Sequence, residues 1–157
     1  MERKAQTQIK VVNSRARIVL YTIAALISLA GLAGATYLAV VAMTGVAAAC
    51  AGSPGCLEVL GSPYARIAGI PVAVLGLFGY FAAFSFATFA GFGYPRARGL
   101  FALTVLAMFV MTLWLLYVQA FVLHAFCRYC LFSAAFTFLL AGLVVASPAP
   151  RDPEDQK

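Results

Sequence analysis

Four long apolar stretches dominate the chain: residues 18–43, 69–92, 100–123 and 127–146, with no Asp, Glu, Lys or Arg in their interiors. Each is near or above the roughly 20 residues that a helix needs to cross the hydrocarbon core of a bilayer. Helix is the predicted form because lipid offers no partner to a bare backbone N–H or C=O. The longest interruption, residues 44–68, carries the turn formers Gly45, Gly52, Ser53, Pro54, Gly55, Gly61, Ser62 and Pro63. Between its two turn clusters, Leu57, Leu60, Tyr64 and Ile67 recur at spacings of three and four, which predicts a short helix lying on the membrane surface. Pro71 is suited to the first turn of the second span, and Gly69, Gly76 and Gly79 would let a neighbouring helix approach it. The pattern predicts an all-α integral membrane protein: a four-transmembrane-helix bundle with a short extracytoplasmic loop helix. Residues 1–17 read as a disordered basic cytoplasmic tail, 18–146 as one membrane domain and 147–157 as a second cytoplasmic tail.

Composition agrees with this division. The chain is 64% hydrophobic and 10% charged, against about 25% charged in a soluble domain. A net charge of +6 raises the question of nucleic acid, and its placement answers it. Arg3, Lys4, Lys10, Arg15 and Arg17 precede the first span, Arg96 and Arg98 join the second to the third, and Arg151 and Lys157 follow the fourth. Of the 11 basic residues, Arg66 and Arg128 alone lie on the other side. This asymmetry marks the cytoplasmic face of a multi-pass protein of the cell (inner) membrane, both termini inside, and argues against a nucleic-acid partner. The stretch Val46-Ala47-Ala48-Ala49-Cys50 has the look of a lipoprotein cleavage site. It stands too far from the charged start, and too many spans follow, for that reading. Intramembrane ionisable groups, which ion-coupled transport usually requires, are missing from the spans.

Candidate chemistry therefore falls on the helix ends and the loop, where the four cysteines lie. Cys50 and Cys56 flank Ala51-Gly52-Ser53-Pro54-Gly55, a spacer built to turn and so to bring two Cα atoms within disulfide reach. Cys127-Arg128-Tyr129-Cys130 is a C-x-x-C at the mouth of the fourth span. The helix N-terminus and Arg128 would both favour a thiolate there. Each pair follows an odd-numbered span from a cytoplasmic start, so both are expected on the extracytoplasmic face, where disulfides persist. Two dithiol pairs on one face can exchange electrons in series. Structural disulfides, packed cysteines and a four-cysteine zinc site are the competing readings; the five-residue spacer between Cys50 and Cys56 is unusual for zinc.

The run Cys50…Cys56-Leu57-Glu58-Val59-Leu60-Gly61-Ser62-Pro63-Tyr64-Ala65, followed by Gly69-Ile70-Pro71-Val72-Ala73-Val74-Leu75-Gly76-Leu77-Phe78-Gly79-Tyr80, resembles bacterial homologues of vitamin K epoxide reductase. Phe126-Cys127-Arg128-Tyr129-Cys130 is similar to that family's redox motif, and the likeness spans about residues 15–146. Quinone-reducing disulfide-bond proteins of another type place the C-x-x-C in the first loop, the reverse of the order here. The resemblance implies a four-helix bundle around a quinone (of ubiquinone, menaquinone or vitamin K type) near the extracytoplasmic surface. In it, Cys50 and Cys56 are the shuttle pair, Cys127 exchanges with them, and Cys130 faces the quinone. Ser62 supports the site by hydrogen bonding, and residues 57–67 cap the quinone, with Leu57, Leu60, Tyr64 and Ile67 as the apolar contacts. It implies a membrane thiol–disulfide oxidoreductase that oxidises the extracytoplasmic dithiol of a thioredoxin-like (DsbA-like) protein and reduces the quinone, supporting disulfide-bond formation. That partner is expected to be separate, because no such domain follows the fourth span. Animal members carry an asparagine and a tyrosine where Val72 and Ala134 approximately fall here, which favours simple quinone reduction over epoxide chemistry. Tyr129 is a further candidate for contact with the ring, and Gln119 for a bond to the bundle or the cofactor. His124 is a candidate proton carrier or an interfacial anchor. A non-enzymatic scaffold with structural disulfides, or a small transporter, are the alternatives.

Overall fold

The computed structural model describes residues 2–44 and 54–147. Cys50 and the segment 148–157 lie outside the described residues. Helix α1 covers Glu2–Thr44, α2 covers Pro54–Gly61, α3 covers Val72–Gly91, α4 covers Pro95–Tyr117 and α5 covers Arg128–Ala146. A 3-10 turn at Pro63–Ala65 and a hairpin of β1 (Arg66–Ile67) and β2 (Ile70–Pro71) join α2 to α3, and a π-helical segment, Val118–Val122, extends α4. Four of the helices hold stretches long and apolar enough to cross a membrane: Ser14–Thr44, Val72–Gly91, Pro95–Val122 and Arg128–Ala146. This is an all-α membrane bundle.

Several expectations change. Residues 2–17 continue α1 instead of forming a disordered tail, since no proline or glycine interrupts them. The loop helix ends at Gly61, so Tyr64 and Ile67 do not extend the face begun by Leu60. Pro63 starts a separate turn, and Ile67 enters the hairpin. Ala68 and Gly69, at φ 52° and 84°, form its two-residue turn; positive φ at both positions suits the right-handed twist of the paired strands. That hairpin occupies the stretch expected to open the second span, and Pro71 becomes the residue before the first turn of α3.

Helix α1 packs on α3 and α5, and α4 packs on the same two, closing a four-membered ring. The α1–α3 contact rests on small residues. Ala83, Ala87 and Ala90 are fully buried along α3 and share a cluster with Ala24 and Ala35 of α1. These alanines carry the close approach of α1 to α3 that dispersion forces reward in lipid; of the expected glycines, Gly79 admits Met108 of α4, which a Cβ there would meet at 3.1 Å, while Gly69 and Gly76 face open space. Gly31 has a different duty: a Cβ there would collide with ring carbons of Tyr80. The Tyr80 ring thus crosses from α3 over α1, and its hydroxyl reaches α5. It donates to the Ser133 carbonyl at 2.8 Å and lies 3.0 Å from Ser133 Oγ and 3.1 Å from Thr137 Oγ1. Edge-on ring pairs tie the remaining helices, Tyr21 to Phe101 at 5.9 Å and Phe109 to Phe138 at 5.0 Å.

Outward, the bundle presents Leu26, Phe78, Phe81, Leu106, Val110 and Leu139 as exposed side chains. Thr22, Thr36 and Thr44 of α1 turn back on their own helix and donate to the Ile18, Leu32 and Val40 carbonyls at 2.7–2.8 Å. Such local bonds keep a hydroxyl satisfied where lipid cannot do so. Four antiparallel spans put α2, the hairpin and the segment before α5 at one end, and the 91–95 connection at the other.

Tyr80→Phe is expected to lower stability by about 1 kcal/mol, the usual loss for one internal hydrogen bond. Gly31→Leu should cost considerably more, because the Tyr80 ring already fills that space. Thermal unfolding in detergent checks both, and a larger loss from the Tyr80 variant would contradict this packing.

Candidate functional site

The site is assembled at the end of the bundle where α4 gives way to α5. Five residues of π-helix, Val118–Val122, widen the end of α4, and Leu123 N–H closes on the Val118 carbonyl at 2.9 Å. His124 then adopts φ 48°, a left-handed conformation uncommon outside glycine, which turns the chain sharply. Ala125 N–H returns to the Gln119 carbonyl at 3.2 Å. Cys127 follows in extended conformation as the N-cap of α5, and its carbonyl receives Leu131 N–H at 3.0 Å. The Cys127 N–H is met by Gln119 Oε1 at 3.0 Å. Gln119 is buried, and its polarity inside an apolar span is explained by that bond.

The loop helix is seated on this turn. Gly55 lies so close to Phe126 that a Cβ would stand 2.7 Å from the Phe126 carbonyl oxygen. Cys56 (1% exposed) and Cys127 (0%) share one buried cluster with Val59 and Ala125, and Cys130 packs against it with Leu60 and Leu123. Cys56 is disulfide-bonded, and Cys127 and Cys130 are free thiols. The structure thus brings three of the four expected cysteines together; Cys50 is outside the described residues.

The two thiols of the C-x-x-C are not equivalent. The Cys130 side chain hydrogen-bonds the Cys127 sulfur and pulls its pKa down to about 6, helped by the backbone N–H groups of Cys130 and Tyr129 and opposed by burial. The expected helix-end effect is present as these N–H groups. Arg128 is not among the causes, and its side chain is exposed. Cys127 therefore carries the thiolate while Cys130 donates to it.

Cys130 borders a cavity of about 510 Å³ inside the helix ring, within the roughly 300–1,000 Å³ typical of small-molecule sites. Its wall is mostly apolar, with Leu38, Val59, Leu60, Met108 and Met111 among its contributors. Of the residues expected to hold a cofactor, Leu60, Ser62 and Tyr64 line it. Ser62 is buried and donates to the Val59 carbonyl at 2.8 Å, bracing the end of α2. Ile67 is 41% exposed in the hairpin and is not on the wall. Tyr129 is also off the wall; its ring lies 5.5 Å from that of Tyr37, joining α5 to α1. The Leu57 side chain is outside the described set. Val72 and Ala134 do stand on the wall and bring no side-chain donor or acceptor. His124 is exposed and contributes conformation rather than a wall group.

The sequence profile of the vitamin K epoxide reductase family matches residues 22–145. The chain belongs to that family. Vitamin K epoxide reductase family proteins are membrane oxidoreductases working, in general, between disulfides and quinones. The matched region runs from the middle of α1 to the end of α5 and so takes in the whole ring, the loop helix and the cysteine motif. The extent expected from the sequence, about residues 15–146, agrees with it closely. Two features of this family member were not legible as site residues: the wall position of Met108 and Met111, which read as ordinary span residues, and the π-helical widening that aims Gln119 at Cys127. A glutamine alone in an apolar span was the one signal available for the latter.

In a variant lacking Cys50 and Cys56, ultraviolet thiolate absorbance should rise with pH with a first midpoint near about 6, against about 8.5 for a free cysteine. The thiolate is present above that midpoint and is lost as pH falls through it. Cys130→Ala should move the midpoint upward by removing the donor. A first midpoint at the free-cysteine value would contradict the arrangement.

Proposed function

We propose that this protein oxidises dithiols on the extracytoplasmic side of the cell membrane and delivers their electrons to a quinone held in the cavity beside Cys130. The observation that carries the reading is the position of the C-x-x-C between two partners. Cys127 packs with Cys56, and Cys130 packs with the cavity. A relay requires a member of the motif to touch each side, and these contacts supply one each.

The residues act in order. A thioredoxin-like partner reduces the Cys50–Cys56 disulfide and is itself oxidised. One loop thiolate attacks the Cys127 sulfur of a Cys127–Cys130 disulfide, forming a mixed disulfide and releasing Cys130 as a thiolate. The second loop cysteine resolves that bond, which regenerates Cys50–Cys56 and leaves Cys127 and Cys130 reduced. Reoxidation of this pair gives up two electrons and two protons, which convert the quinone to the quinol. Burial of Cys127 excludes competing thiols, and its lowered pKa keeps a thiolate available at neutral pH. Leu60, Ser62 and Tyr64 form the cap over the quinone, and the Tyr37–Tyr129 ring pair ties the start of α5 to α1.

Orientation follows from the Lys/Arg asymmetry, with both termini cytoplasmic and the cysteines outside. An impermeant maleimide added to intact cells after reduction should label a variant whose only cysteine is Cys50. Labelling only after the inner face is opened would reverse the topology.

Purified protein mixed with a reduced dithiol carrier and a quinone should bleach the quinone's absorbance over many turnovers, as structural disulfides would not. Cys130→Ser cannot form a Cys127–Cys130 disulfide; its Cys127 thiolate should instead attack the Cys50–Cys56 disulfide, displacing one loop cysteine as a thiolate, and the link should persist because no Cys130 thiol remains to carry the exchange forward. Cys127→Ser should lack any such link and lose quinone reduction to background. Non-reducing peptide mapping checks both variants. A dominant link through Cys130 in the Cys127 variant, with turnover retained, would exchange the two roles.

A further inference from the structure

Few hydrogen-bond donors on the cavity wall are both free and fixed in orientation. Tyr80, Ser133 and Thr137 lie on it, and their hydroxyls are occupied with one another and with the Ser133 carbonyl. Ser62 gives its single proton to the Val59 carbonyl. Arg66 reaches the wall from the hairpin, but its side chain is exposed, so water competes for its donors.

Tyr64, Thr104 and Thr112 bring further hydroxyls to the wall, and each of these can turn to more than one acceptor, whereas Gln119 is held in a single orientation. It is 3% exposed and lines the cavity. The orientation of its amide is dictated rather than chosen: the Cys127 N–H can be met only by the oxygen, which sits 3.0 Å away. The nitrogen end must then point elsewhere, and among the described residues Nε2 has no acceptor. Nε2 is not one of the enclosed side-chain atoms without a partner, which among the described residues are Arg17 Nε, Ser28 Oγ and Arg98 Nε, so its N–H groups stay open to an acceptor in the cavity that the residue lines. The bond to Cys127 also fixes where the donor sits, within reach of the turn that carries both thiols.

We propose that Gln119 Nε2 donates a hydrogen bond to one ring carbonyl of the quinone, so that a single amide registers the ring against the C-x-x-C. The inference rests on the quinone reading above and adds the residue that sets the ring's orientation. The two halves of the side chain have separate duties. Oε1 positions the start of α5, and Nε2 selects ligands with a carbonyl acceptor at the ring edge. Hydrogen bonding to a quinone oxygen also favours the electron-rich ring that reduction produces, so the same contact lowers the barrier to electron delivery.

The test is infrared difference spectroscopy of a quinone labelled with carbon-13 at one carbonyl at a time, bound to the purified full chain, with equilibrium binding measured in parallel. In the wild type, one carbonyl band should shift to lower frequency while the other stays near its position in apolar solvent. Gln119→Leu should abolish that shift and weaken binding about tenfold. Because this variant also loses the cap on Cys127, Gln119→Glu is the second arm. Ionised, it keeps an oxygen for the Cys127 N–H and has no donor, so the shift should again disappear at alkaline pH. Thr112→Val, on the same wall nearer the middle of α4, should retain the shift. A shift that survives both Gln119 variants, that is lost in the Thr112 variant, or that is missing from the quinone-bound wild type would overturn the assignment while leaving the quinone reading intact. Failure of the wild type to bind any quinone would overturn both.

Discussion

The Cys127 N–H, held at 3.0 Å by Gln119 Oε1, is the contact on which the working end of this protein depends. A chain that leaves one span and starts the next inside an apolar protein must find partners for every backbone group it frees. Here α4 does so without a conventional loop. It widens into a π-helical turn, folds back through His124 in a left-handed conformation, and re-enters as α5 at Cys127. The return is closed by the Gln119 main chain and side chain together. With the donor satisfied, Cys127 can be both buried and extended at a helix start, the geometry that aims N–H groups of the next residues at its sulfur.

Two further features are built against that turn. Gly55 meets the Phe126 carbonyl so closely that no larger residue fits, which brings Cys56 down into the cluster with Cys127. On the other side, Cys130 is one helical turn further in and opens on the cavity. The spacing of the motif is thus a device of separation as much as of pairing. One sulfur is placed toward the loop and the other toward the cavity, and the hydrogen bond between them makes the first a thiolate while the second still holds its proton. Thiol exchange needs that asymmetry, since the attacking species is ionised and the group to be released must be reachable in turn.

The rest of the ring keeps the cavity open. Alanines bring α1 and α3 together, and the Tyr80 ring lies against Gly31 while its hydroxyl holds α5. Those contacts hold α5 at a set depth against α3, and they occupy the hydroxyls of Tyr80, Ser133 and Thr137 on the wall. What is left is a mostly apolar space, of the kind small-molecule sites use.

The sequence by itself determined a great deal. Runs of uncharged residues about 20 long called for membrane helices, and four such helices are present. Cys50, the loop of residues 56–65, the run of residues 69–80 and the motif of residues 126–130, in that order and spacing, together indicated the family. Local signals failed where tertiary contact overrides them. The apolar spacing from Leu57 to Ile67 reads as one helix, yet Pro63 divides it and strand pairing claims Ile67, because a two-residue hairpin is stabilised by a partner strand that no local period reveals. Tyr129, adjacent to Cys130, looked like a ring contact, and packing turned it to Tyr37 instead. Helical phase decides such questions, and phase is set by the helices around it. The cavity belongs wholly to the tertiary structure: Leu38, Val72, Met108, Gln119 and Ala134 come from four helices and the turn that ends one of them. A wall is a relation among distant residues: Gln119, Val72 and Ala134 drew notice in the sequence, but Leu38 and Met108, taken alone, read only as parts of a span.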